Sequence, residues 1–296
     1  MIRVVMILSA ILTVSGCVTT SGGRVSESHS VSKYQPTSDF YYHVQGVDKS
    51  YSQNLVPDST GTATSPNIFR VEVRNGDCLG KDCTGNWGGS WSGQYKERSE
   101  LRMIPKSGNW GKGETVWFGV DVFIPEESKL PLMREQTTIA QTMVGKRKPN
   151  SRIKALFEEP TFGFIFKHGR LRANLEFGNN KANKHNEYRA LTVADNIDDL
   201  IGKWTRLEWV IHFSNGAEGF ARAYVNGNQV FEHKGDSMRL SGDVSQMKIG
   251  SYTNHYSFTP EYHKKNPDKA GIGTRVLFFD NASMAKSREE LFTFKD

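Results

Sequence analysis

Apolar side chains recur at every second position along most of the chain. In 115–124, Val116, Phe118, Val120, Val122 and Ile124 alternate with Trp117, Gly119, Asp121 and Phe123. The same alternation runs through Phe162, Phe164 and Phe166, through Leu171, Ala173, Leu175 and Phe177, and through Leu207, Trp209, Ile211 and Phe213. Period two sends neighbouring side chains to opposite faces, so these segments predict half-buried strands. Asn226-Gly227 separates two such runs in 221–231 and predicts a tight hairpin. Helical patterning is scarce, and 285–292 is the best short candidate. No internal repeat of solenoid or propeller length is present. Many strands punctuated by turns predict an all-β fold, an antiparallel sandwich or barrel; a two-sheet jelly-roll sandwich, whose curved sheets offer a concave groove to an extended polymer, is the form expected here.

The N-terminus breaks this pattern. Residues 1–16 carry Arg3, then a run rich in Val, Ile, Leu and Met, then small residues. This predicts a secretory signal peptide, too short to span a bilayer stably. Val14-Ser15-Gly16-Cys17 resembles a bacterial lipobox, which implies cleavage before Cys17 and lipidation of its thiol and new amino group. An ordinary signal peptide with an incidental Cys is the other reading. Val18 stands where an Asp would resemble an inner-membrane retention signal. An outer-membrane lipoprotein is therefore expected, facing the periplasm or the cell surface. Residues 17–38 read as the lipidated Cys and a Ser/Thr/Gly-rich tether, and 39–296 as one domain.

Lipid on Cys17 leaves Cys78 and Cys83. In an oxidising compartment this pair predicts a small-loop disulfide. A zinc site would need two more ligands, and no His lies near in sequence.

Composition narrows the function. The 296 residues hold 38 Lys+Arg against 32 Asp+Glu, a formal charge of +6, which suits a polyanionic ligand. Nucleic acid is disfavoured by the export signal and by the lack of any helix-turn-helix, zinc-finger or RNA-stacking signature. Gly145-Lys146 lacks a phosphate loop around it, and no Gly-x-Ser-x-Gly elbow occurs. The carboxylate pairs Glu158-Glu159 and Glu289-Glu290 are adjacent, so on strands they face opposite ways, which is wrong for a glycosidase.

Three segments could carry chemistry. In 97–102, Arg98, Glu100 and Arg102 share a strand face, two guanidiniums flanking a carboxylate. A surface salt-bridge row explains the spacing equally well. In 139–143, Gln141 sits in a mixed apolar stretch. In 247–252, Lys248, Gly250 and Tyr252 share a face. Gly250 would let a ligand approach the backbone, and a Lys near a phenol favours the phenolate.

Arg-Ser-Glu-Leu-Arg, then Ile-Ala-Gln, then Lys-x-Gly-x-Tyr, in that order, resembles the jelly-roll polysaccharide lyases. The nearest group is that of heparin lyase I and glucuronan lyase, with alginate lyases more distant. The resemblance spans roughly 69–280 and implies a concanavalin A-like sandwich and β-elimination at a uronic acid. It also implies roles. Arg98 and Gln141 would neutralise the carboxylate, Glu100 and Arg102 would order the Arg strand, Tyr252 would be the acid and also a candidate base, and Lys248 would tune Tyr252.

One position departs. The family commonly carries His two residues after the Gln, where this chain has Met143. Either Tyr252 performs both proton steps, or another His reaches the groove, or the chain binds sugar without cleaving it. His212 projects opposite the apolar Trp209 and Ile211 face and is a candidate, as is His255 if a bulge turns it. His168 reads as a turn residue. Arg172, Asn174 and Glu176 form a polar face that could contact sugar, and Trp87, Trp91 and Trp110 are loop aromatics that could stack on it. The expected partner is an acidic polysaccharide, with membrane contact only through the lipid, no nucleic acid and a monomeric state. No cofactor and no metal-ligand set is expected; Ca²⁺ binding is not readable from the motifs. A non-catalytic carbohydrate-binding lipoprotein on the same fold is the alternative function.

Overall fold

The computed structural model describes residues 40–47, 49–84, 95–147, 155–178, 187–238, 242–255 and 273–291. Residues 1–16, read above as a signal peptide, Cys17, the expected tether, Trp87 and Trp91 lie outside them.

Among the described residues the alternation becomes fourteen strands. They are β1 (Phe40–Gly46), β2 (Gln53–Pro57), β3 (Asn67–Val73), β4 (Tyr95–Pro105), β5 (Thr115–Phe123), β6 (Gln136–Arg147), β7 (Ala155–Lys167), β8 (Arg170–Phe177), β9 (Glu187–Ala194), β10 (Trp204–His212), β11 (Phe220–Val225), β12 (Asn228–Lys234), β13 (Val244–His255) and β14 (Arg275–Ala285). One sheet has the order β1-β4-β13-β6-β7-β8-β9, the other β12-β11-β10-β5-β14-β3-β2. The strand pairs are antiparallel, and the two sheets stack as a β-sandwich of jelly-roll type. Asn226 and Gly227 turn β11 into β12 with φ of 49° and 80°, the left-handed pair that Asn-Gly supplies at low cost.

The expected helix over 285–292 is not formed. Strand β14 runs to Ala285 and only a 3₁₀ turn, Glu289–Leu291, follows. Two short helices that the alternation did not predict are α1 (Lys81–Thr84) and α2 (Lys129–Arg134).

The apolar halves of the alternation meet between the sheets. Leu101, Met247, Ile249, Phe162, Phe164 and Leu175 from one sheet pack on Val120, Phe118, Trp209, Ile211 and Leu277 from the other. Burying each such side chain contributes about 1.5–3 kcal/mol. Trp209 is fully buried, stacks on Phe118 at 5.3 Å, and donates Nε1–H to Thr142 Oγ1 at 2.7 Å across the sandwich. That bond meets the one polar need of a buried indole.

At one end the core turns polar. Arg275 of β14 donates to Glu97 Oε2 of β4 at 2.5 Å, and the two are 0% and 2% exposed. The pair joins the two sheets beneath β4.

Gly250 has a backbone reason for being glycine. The pairing of β13 with β6 shifts register between Ile249 and Tyr252, and Gly250 takes φ +144° there. A Cβ at this position would lie 2.2 Å from Ser99 O of β4. Gly250→Ala is expected to cost at least about 1–3 kcal/mol, read as a lower urea midpoint at unchanged slope. An unchanged midpoint would show that the bulge has slack.

Candidate active site

Register decides which side chains share the outer face of the first sheet, the face away from the core. One row crosses all seven strands as His43, Arg102, Lys248, Gln141, Gly163, Asn174 and Ala190. A second row runs Arg98, Tyr252, Thr138, Ile165, Arg172 and Thr192. Between them lie Gln45, Glu100 and Gly250. Strands about 4.8 Å apart bring Arg98 beside Tyr252 and Lys248 beside Gln141. Arg98, Glu100, Gln141 and Lys248 are 6%, 2%, 5% and 3% exposed although they face away from the core, so this face is recessed. Tyr252 is half-buried.

Glu100 ties the rows together. Gln141 Nε2 donates to Glu100 Oε1 at 2.6 Å, Arg98 Nη1 lies 3.6 Å from Oε2, and Lys248 Nζ lies 3.9 Å from it. Lys248 Nζ donates to Gln45 Oε1 at 3.0 Å, and Arg102 Nε donates to the same oxygen at 2.8 Å. The Lys248 ammonium is thus turned toward β1. Two cations lie beside the Tyr252 ring among the described residues, Arg98, with Cζ 4.6 Å from the ring centroid, and Lys96, with Nζ at 5.6 Å.

Burial and like charge decide the ionisation of this cluster. Complete burial pushes Lys248 down to about 7, with Glu100 opposing and Arg102 and Arg98 reinforcing. Burial, helped by Arg98, pushes Lys96 down to about 8. Burial also lowers His43, and Arg102 and Lys248 lower it further. For Arg98, burial is outweighed by Glu100, Asp82 and a Tyr252 phenolate, and its charge is held more firmly than usual. Far along the second half of the face, burial raises Glu176 to about 7. Among the described residues no group of three or more His, Cys, Asp or Glu side chains is arranged to hold a metal ion.

A family model described as polysaccharide lyase matches residues 19–283. The chain belongs to the polysaccharide lyase family. Among solved structures, this lyase resembles the endo-β-1,4-glucuronan lyase of the fungus Trichoderma reesei, with TM-score 0.55 and 14% identity over 84% of this chain and 96% of that one. It also resembles the alginate lyase of Klebsiella pneumoniae, with TM-score 0.45 and 11% identity over 82% and 87% of the two chains. A third is the marine alginate lyase of Zobellia galactanivorans, with TM-score 0.43 and 13% identity over 81% and 83%. At 14% identity the likeness to the glucuronan lyase bears on the fold alone. No curated protein matches the chain by sequence.

In this lyase the sequence-predicted Arg98, Glu100, Arg102, Gln141, Lys248 and Tyr252 all meet on the recessed face, on the adjacent strands β4, β13 and β6. Arg172 and Asn174 lie on the same face, across β7 from β6. His212 does not. It projects away from the core as expected, but from β10 of the other sheet, where it contacts Thr115 Oγ1 at 3.0 Å and stacks on Phe220. Alternation reveals a face but not which sheet carries it. The side chain of His255 lies outside the described residues; its backbone pairs with Tyr95. Trp110 packs edge-on against Phe40 at 5.5 Å and joins the core margin. The predicted disulfide joins Cys78 to Cys83, which removes the zinc reading.

Sequence reasoning missed His43, Gln45, Lys96, Asn254 and Asp82. Phe40, Tyr42 and Val44 alternate with Tyr41, His43 and Gln45. That period-two signal would have identified β1, but its place beside β4 is a long-range fact. His43 is the His on this face among the described residues whose side chains are placed. Its Nδ1, and the Oδ1 atoms of Asn174 and Asn254, are buried without a hydrogen-bond partner.

Proposed function

We propose that this polysaccharide lyase cleaves a uronic-acid-containing polysaccharide by β-elimination, with Tyr252 as base and acid and with Arg98 and Gln141 neutralising the uronate carboxylate. The observation that carries this reading is the gathering of a phenol, a guanidinium, a carboxamide and an ammonium on one recessed face of three adjacent strands. The Tyr252 phenolate takes the proton from the carbon bearing the carboxylate, and charge spreads onto the carboxylate against the Gln141 N–H and Arg98. The new phenol then protonates the departing glycosidic oxygen as its bond to carbon breaks. A carbon–carbon double bond remains in the sugar, and the phenolate is regenerated. Arg98 and Lys96, flanking the ring, favour its anionic form.

This assignment answers the missing His at Met143. His43 sits on β1 beside Arg102, three strands from Gln141. It suits a neighbouring sugar. Asn174 and Asn254 supply further buried polar atoms that sugar hydroxyls would satisfy. Export and lipidation at Cys17, read from the sequence, would place the activity at the outer membrane.

The test is incubation with glucuronan, alginate and heparin-like polymers, following ultraviolet absorbance of unsaturated uronate ends. At least one polymer should yield it; binding without absorbance on all of them would overturn the reading. On the cleaved polymer, KM should rise about tenfold between about pH 6 and about pH 9, equivalent to about 1.4 kcal/mol. The sign follows from the groups. Lys248 and Lys96 lose positive charge near 7 and 8, which removes attraction for a polyanion, and Glu176 gains negative charge near 7, which adds repulsion. Lys248→Gln should flatten the part of the rise near pH 7.

A further inference from the structure

A short loop grips Arg98 twice. From the backbone side, Arg98 N–H donates to Asp77 O at 3.1 Å. From the side-chain side, Arg98 Nη2 donates to Asp82 Oδ1 at 2.6 Å, with Arg98 6% and Asp82 5% exposed. Asp77 is itself fastened, accepting from Tyr51 Oη at 2.8 Å and from Arg74 N–H at 2.7 Å. The disulfide between Cys78 and Cys83 spans the interval between the two grips, following Asp77 and following Asp82 directly. Closing so short a loop constrains the unfolded chain less than a long one would, so the bond's main effect is local. What it fixes locally is the distance from a fastened anchor to the carboxylate that aims Arg98.

Asp82 also solves an electrostatic problem. Arg98 lies among Lys96, Arg102 and Lys248, and burial opposes its charge. Without an anion on its far side, the guanidinium would move toward Glu100, whose Oε2 is 3.6 Å from Nη1. That shift would draw it from beneath the Tyr252 ring and compete with Gln141 for Glu100.

We propose that Asp82, held in place by the Cys78–Cys83 disulfide, is the positioning residue that keeps Arg98 under Tyr252 and in register with the substrate carboxylate. The inference rests on the role of Arg98 proposed above.

The experiment is a mutant cycle on the full chain, combining Asp82→Ala with Cys78→Ser/Cys83→Ser, with Asp82→Glu as the conservative rescue. Kinetics are taken where every variant keeps its native circular dichroism. Ionisation of Tyr252 is read independently, as the absorbance change on alkaline titration that Tyr252→Phe removes from each background. A misplacement of 1 Å costs on the order of 100-fold, so Asp82→Ala and the cysteine pair should each lower kcat/KM about 10- to 100-fold. The combined variant should be no worse than the weaker single one, because the disulfide acts through Asp82. Asp82→Glu should recover part of the loss. Both lesions should move the Tyr252 ionisation to higher pH, as the guanidinium leaves the ring. Additive losses, or an unmoved Tyr252 ionisation, would overturn the proposal. If the unmodified protein forms no unsaturated ends on any polymer, the elimination reading fails, and the Tyr252 titration alone decides the clamp.

Discussion

Under the proposed mechanism, Tyr252→Phe should lower turnover by about 100- to 10,000-fold, the range a general acid–base group supplies, while affinity for the polymer changes little. The size of the effect follows from the double duty assigned to one phenol. Losing its oxygen removes both the acceptor of the ring proton and the donor to the leaving group. Affinity survives because phenylalanine keeps the ring over Arg98, 4.6 Å away, and leaves Glu100, Gln141 and Lys248 in their mutual contacts. Stability changes little too, since Tyr252 is half-buried on the outer face and outside the hydrophobic core. Turnover and binding should therefore separate cleanly, kcat collapsing while the dissociation constant from calorimetry holds. If Tyr252→Phe keeps a tenth of the turnover, another group carries the proton. If it unfolds, the phenol is structural.

The second large effect concerns folding. Arg275→Met should destabilise the protein by about 3–5 kcal/mol, because it removes the buried guanidinium that faces the buried Glu97 carboxylate. For a domain of this size that corresponds to a fall in Tm of about 6–20 °C. Glu97 also accepts from Gly76 N–H at 2.7 Å, in the loop that leads to the disulfide. Its disturbance should therefore reach the site before the sandwich melts, as lost activity below the transition. Pairing Arg275→Met with Glu97→Leu should recover much of the stability, since a well-packed apolar pair replaces a buried ion pair at little net cost. Thermal unfolding of the two variants checks this. A single variant with an unchanged Tm would mean that water reaches Glu97.

The proposed chemistry gives opposing pH trends. A phenolate base favours turnover at higher pH, whereas Lys248, Lys96 and Glu176 weaken polyanion binding as pH rises. The ratio kcat/KM should accordingly pass through a maximum.

Strand identity and facing were set by the sequence alone wherever alternation was uninterrupted. Phe162, Phe164 and Phe166 point inward because side chains on a strand alternate whatever the partner strand. The same local rule put Arg98, Glu100 and Arg102 on one face, and the resemblance carried by three short motifs in order implied that Gln141, Lys248 and Tyr252 join it, as they do. Tertiary structure decided everything that depends on which strand lies beside which. His212 had the right parity but belongs to the other sheet, and His43 reaches the site only because β1 pairs with β4, more than 50 residues further along the chain. Asp82 meets Arg98 because a folded loop docks on β4, and Gly250 is required because Ser99 O approaches its backbone. Period and parity are written in a strand's own residues, whereas neighbours are chosen by the burial and hydrogen bonding of the whole sandwich.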